Sequence, residues 1–213
     1  MEENANVDLY ETHVLPNGQR VLYSDASHIY IVDGMELPSI TSLLSLVYGD
    51  TYAHVNSTIL KQAADYGTAV HAELQDHIDK RLENPEYNVE TFAYPETQHY
   101  FNVVEPIWRI KPVATEKIVV LYGPNNRPVA AGRFDLLCTV DGKLTLADFK
   151  TTSAIHRQLV TAQLNLYRKA AIQSGYISND DNVGLGVIHL HKDTSKYTPI
   201  ATLADDFYLK FLI

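Results

Sequence analysis

The chain has one cysteine, one tryptophan and two methionines in 213 residues. A lone thiol, Cys138, excludes a disulfide framework and a four-cysteine iron–sulfur cluster. No run of about 18 apolar residues is present, so no membrane-spanning helix is expected. No signal peptide precedes the first regular segments, and a soluble protein of the cytoplasm is expected. Positive charge is scarce: 17 Lys and Arg against 26 Asp and Glu give a formal net charge of −9. That balance speaks against a protein that coats nucleic acid tightly and without selectivity. Internal repeats and low-complexity segments are also missing. What remains is 46% hydrophobic and long enough to bury a full core as one domain.

The charge is unevenly spread. Between Arg127 and Lys169 lie seven basic residues (Arg127, Arg133, Lys143, Lys150, Arg157, Arg168, Lys169) and only three acids (Asp135, Asp141, Asp148). An acidic body with a locally basic centre suits an enzyme that must release a polyanion.

The centre of that window is the most informative stretch. Residues 133–140 and 143–150 are two apolar, strand-forming runs joined by Asp141-Gly142. Asp-Gly between such runs is the strongest short-range hairpin signal, because a type I′ turn needs positive φ at both positions. A two-residue loop fixes the register: Val140 opposite Lys143, Thr139 opposite Leu144, Leu137 opposite Leu146, Asp135 opposite Asp148. Opposed side chains share a face, about 5 Å apart. Lys150, two residues beyond Asp148, shares it too. Facing carboxylates are destabilising without compensation, and a hard divalent cation supplies it. A nearby ammonium can polarise a phosphate or help activate a water. These groups equip a site for phosphodiester hydrolysis. The plainer alternative is an exposed hairpin whose charges keep an edge soluble. Against it, Leu144-Thr145-Leu146-Ala147 reads as a buried strand. Cys138 alternates to the face away from Asp135, as a small core residue does.

These residues resemble the PD-(D/E)XK nuclease superfamily: Asp135 matches its first acidic position and Asp148-Phe149-Lys150 its D-X-K half. Asp148-Phe149-Lys150-Thr151-Thr152 is similar to the RecB-like branch. Gln163-Leu164-Asn165-Leu166-Tyr167 resembles its Q-x-x-x-Y element, Gly67-Thr68-Ala69-Val70-His71 its G-x-x-x-H helix, and Glu116 its strand glutamate. Leu37-Pro38-Ser39-Ile40-Thr41 resembles the L-P-S-V-T element of the mitochondrial genome maintenance exonucleases and their phage and bacterial relatives. The order of elements agrees over about residues 28–209. The resemblance implies an α/β restriction-endonuclease-like core, a mixed central sheet flanked by helices, over residues 57–213. Residues 1–56 would elaborate it with hairpins and a short helix. It implies a Mg²⁺- or Mn²⁺-dependent DNA exonuclease of recombination, repair or phage DNA processing (in host cytoplasm if phage-encoded). Single-stranded ends are the preferred substrate, and a recombination or replication protein is an open partner. Asp135, Asp148, the Phe149 carbonyl and His71 would hold metal, Lys150 would orient and activate the attacking water, and Glu116 would join the catalytic set. Gln163, Tyr167, Arg133, Thr151 and Arg157 would meet substrate. A structure-specific or nicking endonuclease is the alternative of the same chemistry, and a non-catalytic DNA-binding module that of another class.

The rest of the chain supplies the frame. Residues 1–12 are polar and expected to fray. Hairpins are expected around Pro16–Arg20 and at Asp33-Gly34. Ser39 is expected to cap a helix through Leu46, and Ser57 one over 57–82. The latter's stripe runs Leu60, Ala63, Gly67, Val70, Leu74, Ile78, Leu82. Gly67 in mid-helix suggests close approach to another backbone. His71, on that stripe, is either a satisfied core residue or a ligand. Pro95 opens a helix ended by Pro112 and kinked by Pro106. Its aromatics suit a core better than a base-stacking platform. Val113–Tyr122 reads as a strand whose Glu116 is either a metal-site group or an edge acid. A helix over 156–174 carries Gln163 and Tyr167 one turn apart. Val183–His191 reads as a buried strand with His189 and His191 on its polar side rather than as ligands. Tyr197–Leu203 pairs back on it, and Asp205 can cap a final helix.

Overall fold

Both expected Asp-Gly turns form. Asp33 and Gly34 have φ of 51° and 76°, and Asp141 and Gly142 have 49° and 82°, the sign a type I′ turn requires. The computed structural model describes residues 9–49, 55–179 and 181–212. Strands β1 (Glu11–Val14), β2 (Arg20–Ser24), β3 (Ile29–Val32) and β4 (Met35–Leu37) form an antiparallel meander. Residues 11 and 12 therefore pair rather than fray. Residues 1–8 of the segment expected to fray lie outside the described residues.

The helices keep the expected order with shifted ends. Helix α1 (Ile40–Tyr48) starts at Ser39, whose hydroxyl accepts from Ser42 N–H, and runs past Leu46. Helix α2 (Ser57–Glu83) is capped by Asn56 rather than Ser57, with the Asn56 side chain accepting from Thr58 N–H. Only the middle of its stripe is buried, at Val70, Leu74 and Ile78; Ala63 and Leu82 are exposed. Helix α3 (Pro95–His99) passes into a π turn at Tyr100–Val104 and a last turn, α4 (Glu105–Ile107). Pro106 has no N–H to donate, and the wide turn before it absorbs that loss. The helix ends before Pro112, which already lies in the next strand. Helix α5 (Arg157–Gln173) matches expectation closely. No final α-helix is present among the described residues; a 3₁₀ turn covers Phe207–Phe211, and Asp205 pairs with Arg168 at 3.2 Å instead of capping it. Among the described residues no helix is long and apolar enough to cross a membrane.

The second sheet has the order β5 (Lys111–Tyr122), β6 (Pro128–Val140), β7 (Lys143–Lys150), β8 (Gly184–His189), β9 (Lys196–Ile200). All neighbours are antiparallel except β7 and β8. The protein is thus mixed α/β. A parallel step needs a crossover, and α5 supplies it. Helices α1 and α5 bury Val119, Leu121, Leu137, Leu146 and Val187. Helix α2 and the π turn bury Leu136, Cys138, Phe149 and Ile188. Beside α2, the first sheet packs Val21, Tyr30 and Val32 onto Ile118, Val120 and Ala131.

Candidate metal and catalytic centre

The two ladders around β6 both fail at Asp135. On one side Thr115 pairs with Leu136 and Lys117 with Phe134, which sets Glu116 across from Asp135. On the other, the register runs as expected from Val140–Lys143 to Leu136–Ala147 and stops one pair short of Asp135–Asp148. Phe134 and Leu136, which strict alternation would put on one face, pack in different cores. Instead of projecting beside Asp148, Asp135 turns into the gap between β6 and β7. Its Oδ2 accepts the Phe149 N–H at 2.8 Å, replacing the lost backbone bond. A strand residue directs its N–H and C=O the same way, so the Phe149 carbonyl is directed toward Asp135.

Glu116 has φ of 46°. A glutamate there costs on the order of 1–3 kcal/mol, a cost typical of functional sites. Its carboxylate lies 3.3 Å from Arg133 Nε. Burial, and then the Asp135 charge, push the Glu116 carboxyl up to about 7.

His71 arrives from α2. A Cβ on Gly67 would stand 2.8 Å from Thr151 Oγ1, so the close approach is to a side chain, not to another backbone. That contact seats α2 on the end of β7. One turn later His71 Nδ1 lies 3.8 Å from Asp135 Oδ2, with its ring edge-on to Phe149. Donor atoms of His71, Glu116 and Asp135 all lie within 4.8 Å of one another.

Asp148 faces α5 and is 3% exposed. Its Oδ2 meets Lys150 Nζ at 2.6 Å, and its Oδ1 accepts from Gln163 Nε2 at 3.1 Å. Burial holds its carboxyl above the usual carboxylate range against the pull of Lys150, and Asp135 adds to the rise. The resemblance implied Asp135, Asp148, the Phe149 carbonyl and His71 as the metal set. The tight donor group in the structure is His71, Glu116 and Asp135, with Asp148 behind it, held by Lys150 and Gln163.

The implied substrate residues divide. Gln163 grips Asp148. Tyr167 is buried against Gly132, where a Cβ would stand 3.0 Å from its hydroxyl, and lines the cleft before Asp135. Arg133 spans Glu116 and Asp25 (3.5 Å) and lies over the Tyr23 ring. Thr151 packs under Gly67. Arg157 sits elsewhere, on a separate cavity. The cleft, about 670 Å³, is also walled by Asp25, His28 and Tyr30 of the first sheet. Sequence reasoning missed these three. The turn is pinned by Tyr23 Oη, which donates to Asp25 at 2.9 Å and contacts His28 Nδ1 at 3.0 Å. Polar residues between two strands carry no mark of where the turn will lie. His189 is not with the donors: its Nε2 donates to the Thr152 carbonyl at 2.6 Å. His77 is a core residue bonded to Tyr87 Oη.

The basic window does not fold into one basic patch. Arg133, Lys150 and Arg168 each pair with acids, and Lys143 lies at the far end of β7 from Lys150. Neither a family profile nor a curated protein matches this chain. Two carboxylate groups and an imidazole this close together could hold a divalent metal ion. Three buried or half-buried acids face Arg133 and Lys150 as close counter-charges, and a cation would neutralise the remainder.

Proposed function

We propose that this chain is a Mg²⁺- or Mn²⁺-dependent deoxyribonuclease with a PD-(D/E)XK-type core, acting on DNA ends. The observation that carries the reading is the convergence of Asp135, Glu116 and His71 in front of the buried Asp148–Lys150 pair, at the mouth of a cleft. Bound there, the cation would act as a Lewis acid on the phosphoryl oxygens. His71, Glu116 and Asp135 would hold it, with the Phe149 carbonyl alongside. Gln163 fixes Asp148, and Asp148 fixes the Lys150 ammonium. Lys150 orients the attacking water and stabilises charge developing on the phosphate. Arg133 and Tyr167 shape the cleft that receives the strand. Preference for single-stranded ends, a cytoplasmic setting and work in recombination, repair or phage DNA processing accompany the same reading.

End-labelled linear single- and double-stranded DNA and closed circular DNA, each incubated with Mn²⁺, Mg²⁺ or EDTA, test it. Linear DNA should be degraded with metal, circles spared, and EDTA should stop the reaction. Rapid cutting of closed circles would replace the exonuclease with an endonuclease. A folded protein inert on every substrate with both metals would overturn the reading.

A further inference from the structure

Beyond Lys150 the sheet continues into β8 and β9. The register sets His189 beside Lys150, Lys196 opposite His189 and Thr198 opposite Val187. These side chains share the α5 side with Asp148 and Lys150. A cavity of about 320 Å³ lies over them, bounded on the helix side by Ile155 and Arg157. Its floor is apolar, with Val187 and Ile200 buried. Arg157, Lys196 and the buried His189 line it as well. Unlike Arg133, Lys150 and Arg168, neither Arg157 nor Lys196 forms an ion pair among the described residues. In a chain of net charge −9, these two cations line one cavity together with no carboxylate among its lining residues. His189 is held in place by its bond to the Thr152 carbonyl. Helix α5 begins at this cavity, with Arg157 as its first residue.

We propose that this cavity binds a phosphate group of the nucleic-acid strand whose scissile phosphate lies at Lys150. The proposal rests on the nuclease reading and adds a subsite to it. Strands are spaced about 4.8 Å apart, so the rim is within roughly 5–10 Å of Lys150, the reach of an adjoining nucleotide. The Arg157 guanidinium offers a two-pronged donor to phosphate oxygens and Lys196 a point charge. The Thr198 hydroxyl can donate a further bond, and the apolar floor receives a sugar. The group is either a terminal monoester or an internal diester.

Fluorescence anisotropy of a labelled single-stranded oligonucleotide with a 5′-phosphate, a 3′-phosphate or no terminal phosphate tests this. The full-length chain is titrated in EDTA over a salt series, so no metal is needed. The double variant Arg157→Gln/Lys196→Gln should weaken binding about tenfold. It should also flatten the slope of log affinity against log salt by about 0.7, the value for one neutralised phosphate on a single strand. Loss confined to one terminally phosphorylated oligonucleotide assigns a terminal monoester; equal loss on all three assigns an internal diester. Lys196→Glu, on an exposed strand residue, guards against a misfolded double variant and should weaken binding further than Lys196→Gln. Unchanged affinity and slope in folded variants overturn the subsite. So does lost affinity for inorganic phosphate with none lost for the oligonucleotide. A wild type that binds oligonucleotide through these residues, yet never cleaves with Mn²⁺, overturns the nuclease reading and leaves the subsite standing.

Discussion

At the scale of single residues, the centre is a balance between buried acids and few cations. Lys150 is bound to Asp148, not to the donor trio, and an ammonium cannot ligate a cation. Lys150→Ala should therefore lower single-turnover cleavage by roughly 10²–10⁴. Calorimetric Mn²⁺ affinity should stay equal or become tighter, because a positive neighbour is gone. Glu116 offers an opposite signature. Its charge is disfavoured by burial and by Asp135, so Glu116→Gln should stabilise the metal-free protein at pH 8, by on the order of 1 kcal/mol in urea. The same variant should weaken Mn²⁺ binding. A glutamate that served only the fold would lose stability on this change and leave metal affinity alone. The donors would also bias a bound metal. Imidazole is a better partner for Mn²⁺ than for Mg²⁺, so His71→Ala should narrow the gap between the two affinities.

At the scale of elements, α2 is positioned by what its surface lacks. Ala at 67 would gain about 1 kcal/mol of helix propensity, but its Cβ would meet Thr151 Oγ1 at 2.8 Å. Gly67→Ala should thus destabilise the wild type and become neutral or stabilising in a Thr151→Ala background, a positive coupling readable in a double-mutant cycle. Further along α2, His77 is buried among Tyr87, Phe92 and Phe101. Burial lowers its pKa below the ordinary value, while Glu73 and Asp76 pull the other way. With the folded pKa depressed, the unfolded chain takes the proton first. The stability His77 contributes is complete above its ordinary pKa, about 6.5, and is lost as pH falls below it. Urea midpoints of wild type and His77→Gln should therefore converge as pH drops from about 7 toward 5. The hairpin was legible because Asp-Gly dictates a turn chemically. The broken rung at Asp135 was not: it depends on a side chain competing with the backbone for the Phe149 N–H, and on Glu116 leaving the regular strand conformation.

At the scale of the whole molecule, the first sheet is part of the core and of the cleft at once. Its Val21, Tyr30 and Val32 cover Ile118, Val120 and Ala131, and its turn brings Asp25 and His28 to the mouth of the site. Each fully buried apolar side chain is worth about 1.5–3 kcal/mol. A chain lacking residues 1–38 should accordingly lose cooperative melting and bind a hydrophobic dye. Retained cooperative melting would show that β5 does not need this cover. The sequence alone determined the features that local chemistry sets: Asp-Gly turns, the Ser39 cap, the hairpin register, the buried strand through Ala147, and a single reduced cysteine in the core. It also determined which acids and which lysine stand at the open end of that hairpin. Tertiary structure alone decided how those acids are used. Asp135 fills a backbone vacancy, Glu116 joins His71 in front, and Asp148 retreats behind Lys150 and Gln163. It also dispersed the basic window, pairing Arg133, Lys150 and Arg168 with acids and leaving Arg157 over a cavity with Lys196, thirty-nine residues away in sequence. The division has one physical cause: turns and caps are settled by neighbours along the chain, whereas charge pairing and burial depend on groups that meet only once the sheets and helices have packed.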